Sequence, residues 1–188
     1  MKKKLAEMSL EELWQLFPIE LQESRSGWSN DYQEIAANLN RWLPDTDVAR
    51  ISHIGSTAIK GIKAKNIVDV LVELAPEANL KSMTKLVESN GCVIMSASET
   101  RVSLNRGYTP EGFAEKVYHI HLRLAGDNDE LYFRDYLNQF PEIAKEYEAL
   151  KETLAVQFKH DRDQYTLQKG SFVEAMTKKA KELYGLRY

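Results

Sequence analysis

The chain holds one cysteine, Cys92, so no disulfide can close within it, which fits a reducing compartment. No stretch approaches the roughly 20 consecutive apolar residues that a membrane-spanning helix requires. The opening residues MKKKLAEMSLEELWQLF carry three lysines but no apolar core of a secretory signal. A soluble, cytoplasmic protein without a membrane partner is therefore expected. A basic excess is missing too. The net charge of −3 gives no general attraction to nucleic acid, and no basic stripe compensates for it. Repeats and low-complexity tracts are absent. What remains is 188 residues, 43% apolar and 28% charged, enough for one sizeable core.

The periodicity predicts an α+β domain over 1–188, with residues 1–27 as a helical N-terminal extension. Ser9 and Glu12 have capping-box spacing ahead of Leu10, Leu13, Trp14 and Phe17. A second helix is expected from Ser29 to just before Pro44, with Tyr32, Ile35, Leu39 and Trp42 on one face. Strands follow at 48–54 and 67–74, then a helix over 76–90 and strands at 92–95, 100–106 and 116–124. The last two strands would flank a polar loop over 107–115. The final third reads as helices over 127–138, 141–160 and 164–184. The architecture expected is a mixed sheet flanked by helices, with a helical C-terminal third.

Four features carry chemistry. The first is the turn Gly55-Ser56-Thr57, whose backbone N–H groups and hydroxyls suit a phosphate, although such turns also merely cap helices. Lys60, Lys63 and Lys65 follow it. The second is Asp69, inside the apolar run IVDVLVEL. Strand alternation puts Asp69, Leu71 and Glu73 on one face, and a buried carboxylate needs a hydrogen-bond, ionic or metal partner. The turn itself, or solvent at a strand end, would equally satisfy it. The third is Tyr118-His119-Ile120-His121-Leu122-Arg123, which points both imidazoles to one face. That pair suits a metal or a proton transfer, or a purely structural role. The fourth is Arg134, set among aromatic and aliphatic residues, with Lys151, Arg162 and Lys169 beyond it. These can neutralise an anion. Interspersed acids and bases in EIAKEYEALKE instead place Lys151 on a solvated helix face.

HIGSTAIKGIKAKNIVDVLVEL, HIHLRL, LYFRDYL, YEALKETLA and YTLQKGSFV resemble, in order, motifs of the GrpB (UPF0157) family, over roughly residues 28–180. The resemblance implies a nucleotidyltransferase-like fold, in a family whose members also occur fused to dephospho-CoA kinases. In that superfamily a hydrophobic-Gly-Gly/Ser turn precedes an acid-hydrophobic-acid strand. Ile54-Gly55-Ser56 matches the turn and Asp69 the first acid, but Leu71 stands where the second acid belongs. Ile59-Lys60-Gly61 and Lys65-Asn66 also lack the family's prolines, which would loosen that loop.

The resemblance implies a nucleotidyltransferase-like protein acting on a nucleotide or another phosphorylated small molecule. Gly55, Ser56, Thr57, Lys65 and Arg134 would bind the phosphorylated ligand, a nucleoside triphosphate among the candidates. Asp69, His119 and His121 would hold a divalent metal, Mg²⁺ or a transition ion, and carry catalysis. The alternative is a non-catalytic nucleotide- or cofactor-binding module that has lost the second carboxylate. Oligomeric state is not legible.

Overall fold

The computed structural model describes residues 3–188. Its centre is a five-stranded mixed sheet in the order β1-β2-β5-β4-β3. The strands are β1 (Val48–Ile54), β2 (Val68–Leu74), β3 (Val93–Ala97), β4 (Arg101–Thr109) and β5 (Gly112–Leu124). All pairs are antiparallel except β2 with β5, which run parallel at the centre. The helices are α1 (Leu10–Leu16), α2 (Gly27–Trp42), α3 (Leu80–Ser89), α4 (Asp129–Gln139), α5 (Pro141–Gln157) and α6 (Arg162–Tyr184). The α+β architecture and the helical last third are as the sequence implied.

Local chemistry sets the element ends. The predicted capping box opens α1: the Glu12 carboxylate accepts from the Ser9 N–H at 2.7 Å, and Ser9 Oγ accepts from the Glu12 N–H. Asn79 caps α3 through the Ser82 N–H, so that helix starts at Leu80 rather than at Pro76. Asp161 caps α6 in the same way, and Pro141 occupies the first turn of α5. The expected polar loop over 107–115 shrinks to a tight turn, because Tyr108 pairs with Phe113 and Thr109 with Gly112. Those rings pack on Phe17, which makes the hairpin tip partly apolar despite its polar sequence.

The two faces of the sheet are built differently. Val68, Val70, Val72, Ile120 and Leu122 face α2 and α3, forming a continuous core with Trp28, Ile35, Leu39, Met83 and Val87. The opposite face carries Asp69, His119 and His121, with α4–α6 on that side. There Leu71 is fully buried with Ile54 and Leu131. Ile59 and Ile62, from the β1–β2 connection, pack into a separate core with Phe133, Leu137, Ala144, Tyr147 and Met176.

That connection is pinned. Asn138 accepts from the Lys60 N–H at 2.9 Å and donates to the Ala58 carbonyl at 3.0 Å. Lys145 donates to the Gly61 carbonyl, and Gln22 and Ala64 exchange backbone hydrogen bonds. Asn66 accepts from the Trp28 indole and from Arg25. Side-chain hydrogen bonds thus tie down the segment that lacks the family's prolines, against the looser loop expected.

Candidate metal and phosphate site

The register of β2 and β5 assembles the first part of the site. Asp69 lies beside His119 and Leu71 beside His121, so the alternation that sends Asp69 to one face sends both imidazoles there. His119 Nδ1 and His121 Nε2 each stand 3.3 Å from Asp69 Oδ1. Ligand atoms of the three residues all lie within 4.8 Å of one another. Asp69 finds its hydrogen-bond partners in these histidines rather than in the hydroxyls of the turn.

Gly55 explains why the turn and the acid belong together. Its φ is +69°, and a Cβ there would collide with Asp69 Oδ2 and stand 2.9 Å from the Asp69 Cβ and Cγ. Only glycine lets β1 end against the carboxylate.

The outer imidazole nitrogens are also held. His119 Nε2 meets the Tyr108 hydroxyl at 2.8 Å, and His121 Nδ1 meets Ser103 Oγ at 3.1 Å. Tyr108 reaches this face through a register shift in the β4–β5 pairing between Arg106 and Tyr108. Arg106, on the other side, packs over Trp42. The shift switches the side-chain direction, as irregularities in a ladder do.

Burial opposes ionisation of Asp69, but hydrogen bonds from His119 and His121 outweigh it and hold its carboxyl below the usual range. Burial lowers His119, against the pull of Asp69. An ionised carboxylate with an imidazole biased towards neutrality is the protonation pattern a metal requires. The donor set, one carboxylate and two imidazoles with their outer nitrogens hydrogen-bonded, fits a single transition-type divalent ion. It does not fit a pair of Mg²⁺ ions. Leu71 is packed away, and Glu73 is 2% exposed, bound to Arg50 at 2.5 Å and to Asn128 at 2.9 Å. Asp163 also lines the cavity from α6, outside the cluster of ligand atoms.

The site opens into a cavity of about 850 Å³. Gly55, Ser56, Lys65, Lys151, Arg162 and Lys169 line it together with the Asp-His-His group. Tyrosine rings support the cations. Lys65 and Lys169 lie over Tyr165, Lys151 over Tyr147 and Arg162 over Tyr108, at 4.4–5.5 Å from the ring centroids. Burial pulls Lys65 down to about 7, helped by Arg162 and Lys169. Burial likewise brings Lys151 to about 7, with Lys169 adding repulsion, and Lys169 to about 8, partly offset by Asp69. Positive charge crowded in this way is relieved by an anion.

One expectation needs correction, and two other residues lie away from the cavity. Lys151 is 1% exposed and donates to the Lys63 carbonyl, so it is not on a solvated face. Arg134 lies outside the cavity lining; it donates to the His53 carbonyl at 2.9 Å, to Asp135 and to Tyr188. Its job is to anchor the end of β1 to α4. Thr57 also lies outside the lining, with its hydroxyl 2.9 Å from His53 Nε2. His53 is stacked on Tyr32 and lowered by burial to about 4, a neutral ring that fastens the turn. Tyr108, Ser103 and Tyr165 were not foreseen. Alternation within β4 puts Ser103 on the histidine face once the hairpin is paired, but nothing local marks Tyr108 or Tyr165.

Fold and site together define an α+β protein with an acid-histidine cluster and a lysine-rich cavity on one sheet face. The chain belongs to the GrpB family, whose model, described as GrpB protein, matches residues 18–179. It is 36% identical over 138 residues to the glutamate-rich protein GrpB of Alkalihalophilus pseudofirmus, covering 68% of this chain and 76% of that one. It is 29% identical to the UPF0157 protein YqkA of Bacillus subtilis, over 95% of this chain. The chain spans about half of that relative, 52% of its length. The crystal structure of conserved protein GrpB from Enterococcus faecalis superposes with a TM-score of 0.75 at 26% identity, covering 88% of this chain and 99% of that one.

Proposed function

We propose that this protein is a nucleotidyltransferase-like enzyme that binds a phosphorylated small molecule, a nucleotide among the candidates, beside one divalent transition metal. The observation that carries this reading is the convergence of Asp69, His119 and His121 with Lys65, Lys151, Arg162 and Lys169 on one cavity. Asp69, His119 and His121 would hold the ion, and Tyr108 and Ser103 would fix the imidazole orientations. When bound, such an ion supplies Lewis-acid polarisation of a phosphoryl oxygen. The lysines and Arg162 neutralise phosphate charge in a recess where water screens it poorly, and Arg162 offers a bidentate fork. Gly55 and Ser56 line the same cavity, where their backbone N–H groups and the Ser56 hydroxyl can donate to a phosphate.

A second reading has its own observation. Leu71 is 0% exposed where a second metal carboxylate would stand, which favours a module that binds the ligand without transferring it. Incubation with radiolabelled nucleoside triphosphates and Mn²⁺ separates the two. Release of pyrophosphate or a labelled adduct, lost in Asp69→Asn, supports the enzyme. Nucleotide binding without any product supports the binding module. If neither phosphate nor nucleotide binds, both readings fall.

A further inference from the structure

The cations and the Asp-His-His group make up one part of the cavity lining, and another part has a different chemistry. Leu10, Leu13, Trp14 and Phe17 from the N-terminal segment line it together with Val93 and Met95 of β3. These side chains are not spent on a core. No residue of α1 is buried, and Leu10, Val93 and Met95 remain 55%, 62% and 47% exposed. Phe17 is the exception at 3%, wedged against Tyr108 and Phe113. Tyr108 in turn holds His119, so the apolar part adjoins the polar part.

Apolar surface left open inside a concave site is unfavourable in water and becomes favourable when a ligand covers it. We infer that the ligand of this cavity is an amphiphilic phosphate ester, whose phosphate sits on the cation cluster and whose apolar body lies between α1 and β3. This rests on the phosphate reading proposed above and adds the class of substrate. The N-terminal segment is then the specificity element. It reads the body of the ligand and leaves the phosphate to the β1–β2 connection, α5 and α6. A volume of about 850 Å³ has room for both parts in one small molecule.

Calorimetric titration of the full chain with inorganic phosphate, ethyl, butyl and hexyl phosphate, and adenosine monophosphate tests this, with Mn²⁺ present and all esters below micelle formation. Full burial of one methylene is worth about fourfold in affinity. Hexyl phosphate is therefore expected to bind at least about tenfold tighter than ethyl phosphate, even if the chain is only partly covered. The double variant L10S/W14S should flatten that series while inorganic phosphate binds as before. Met95→Ser, on an exposed strand position, should reduce the gain from β3 with no change in thermal midpoint. Phosphate binding with no dependence on chain length overturns the inference and leaves the phosphate reading standing. So does adenosine monophosphate binding tighter than hexyl phosphate and unaffected by L10S/W14S. Failure of every phosphate to bind overturns the proposed function itself.

Discussion

The two faces of the central sheet come from the same strands yet do opposite work. On β2, Val68, Val70 and Val72 feed a closed apolar core, while Asp69 and Glu73 on the other face each need dedicated partners. On β5, Ile120 and Leu122 are 0% exposed on the core side, whereas His119 and His121 look into a cavity. One face holds the sheet together and the other presents chemistry. The lesson is that each charge on the polar face must be held by something, and the acids are held better than the lysines. Glu73 has Arg50, Asp69 has the histidines, and the lysines have tyrosine faces.

The sharpest way to break this division is to damage the core face. Ile120→Ala should cost about 2–5 kcal/mol of unfolding free energy, read by urea denaturation, with phosphate affinity unchanged at temperatures where the protein is folded. A comparable loss of phosphate affinity would show that the two faces are not independent. Next comes Gly55→Ala. Its φ of +69° with an extended ψ is a conformation that costs any other residue about 1–3 kcal/mol, and the clash with Asp69 adds to it. This change should lower both stability and metal affinity, seen by thermal unfolding with and without Mn²⁺.

Tyr108→Phe removes the hydroxyl that holds His119 and leaves the ring on Phe17. Metal affinity should fall about 10–100-fold, with little change in stability. A separate effect is on pH dependence. Lys151 sits near 7 in the folded chain, well below an unfolded lysine at about 10.4. Between those values the unfolded chain binds more protons, so this group makes stability rise with pH from about 7 to about 10. Below 7 both states are protonated and the burial penalty is fully present. Lys65 and Lys169, lowered in the same way, add to that rise, so Lys151→Met should reduce it in denaturation curves taken across the window, and saturating phosphate should reduce it further in the parent chain.

Much of this was legible in the sequence because strand alternation is local. Asp69 and the histidine pair could each be assigned to a face from the neighbouring residues alone. Their meeting could not, since it depends on β2 and β5 lying side by side across some 50 residues of chain. Lys151 misled for a related reason. The charge pattern around it is that of a solvated face, and only the docking of the β1–β2 connection against α5 buries it. Arg134 looked fixed and is fixed, by the carbonyl of His53 on a distant part of the chain. The apolar residues of α1 read as a helix face, and nothing in the sequence indicates what they cover. Side-chain pattern identifies the groups available for chemistry; tertiary packing decides which of them share a cavity.

The central claim is that Asp69, His119 and His121 form one metal site that works with the lysine cluster. Calorimetric titration of the metal-free chain with Mn²⁺ and with Zn²⁺, in the presence and absence of inorganic phosphate, tests it most directly. The account predicts one ion per chain, binding lost in both Asp69→Asn and His119→Ala, and phosphate bound more tightly once the ion is in place. An absence of saturable metal binding, or equal binding by the parent chain and both variants, would contradict it.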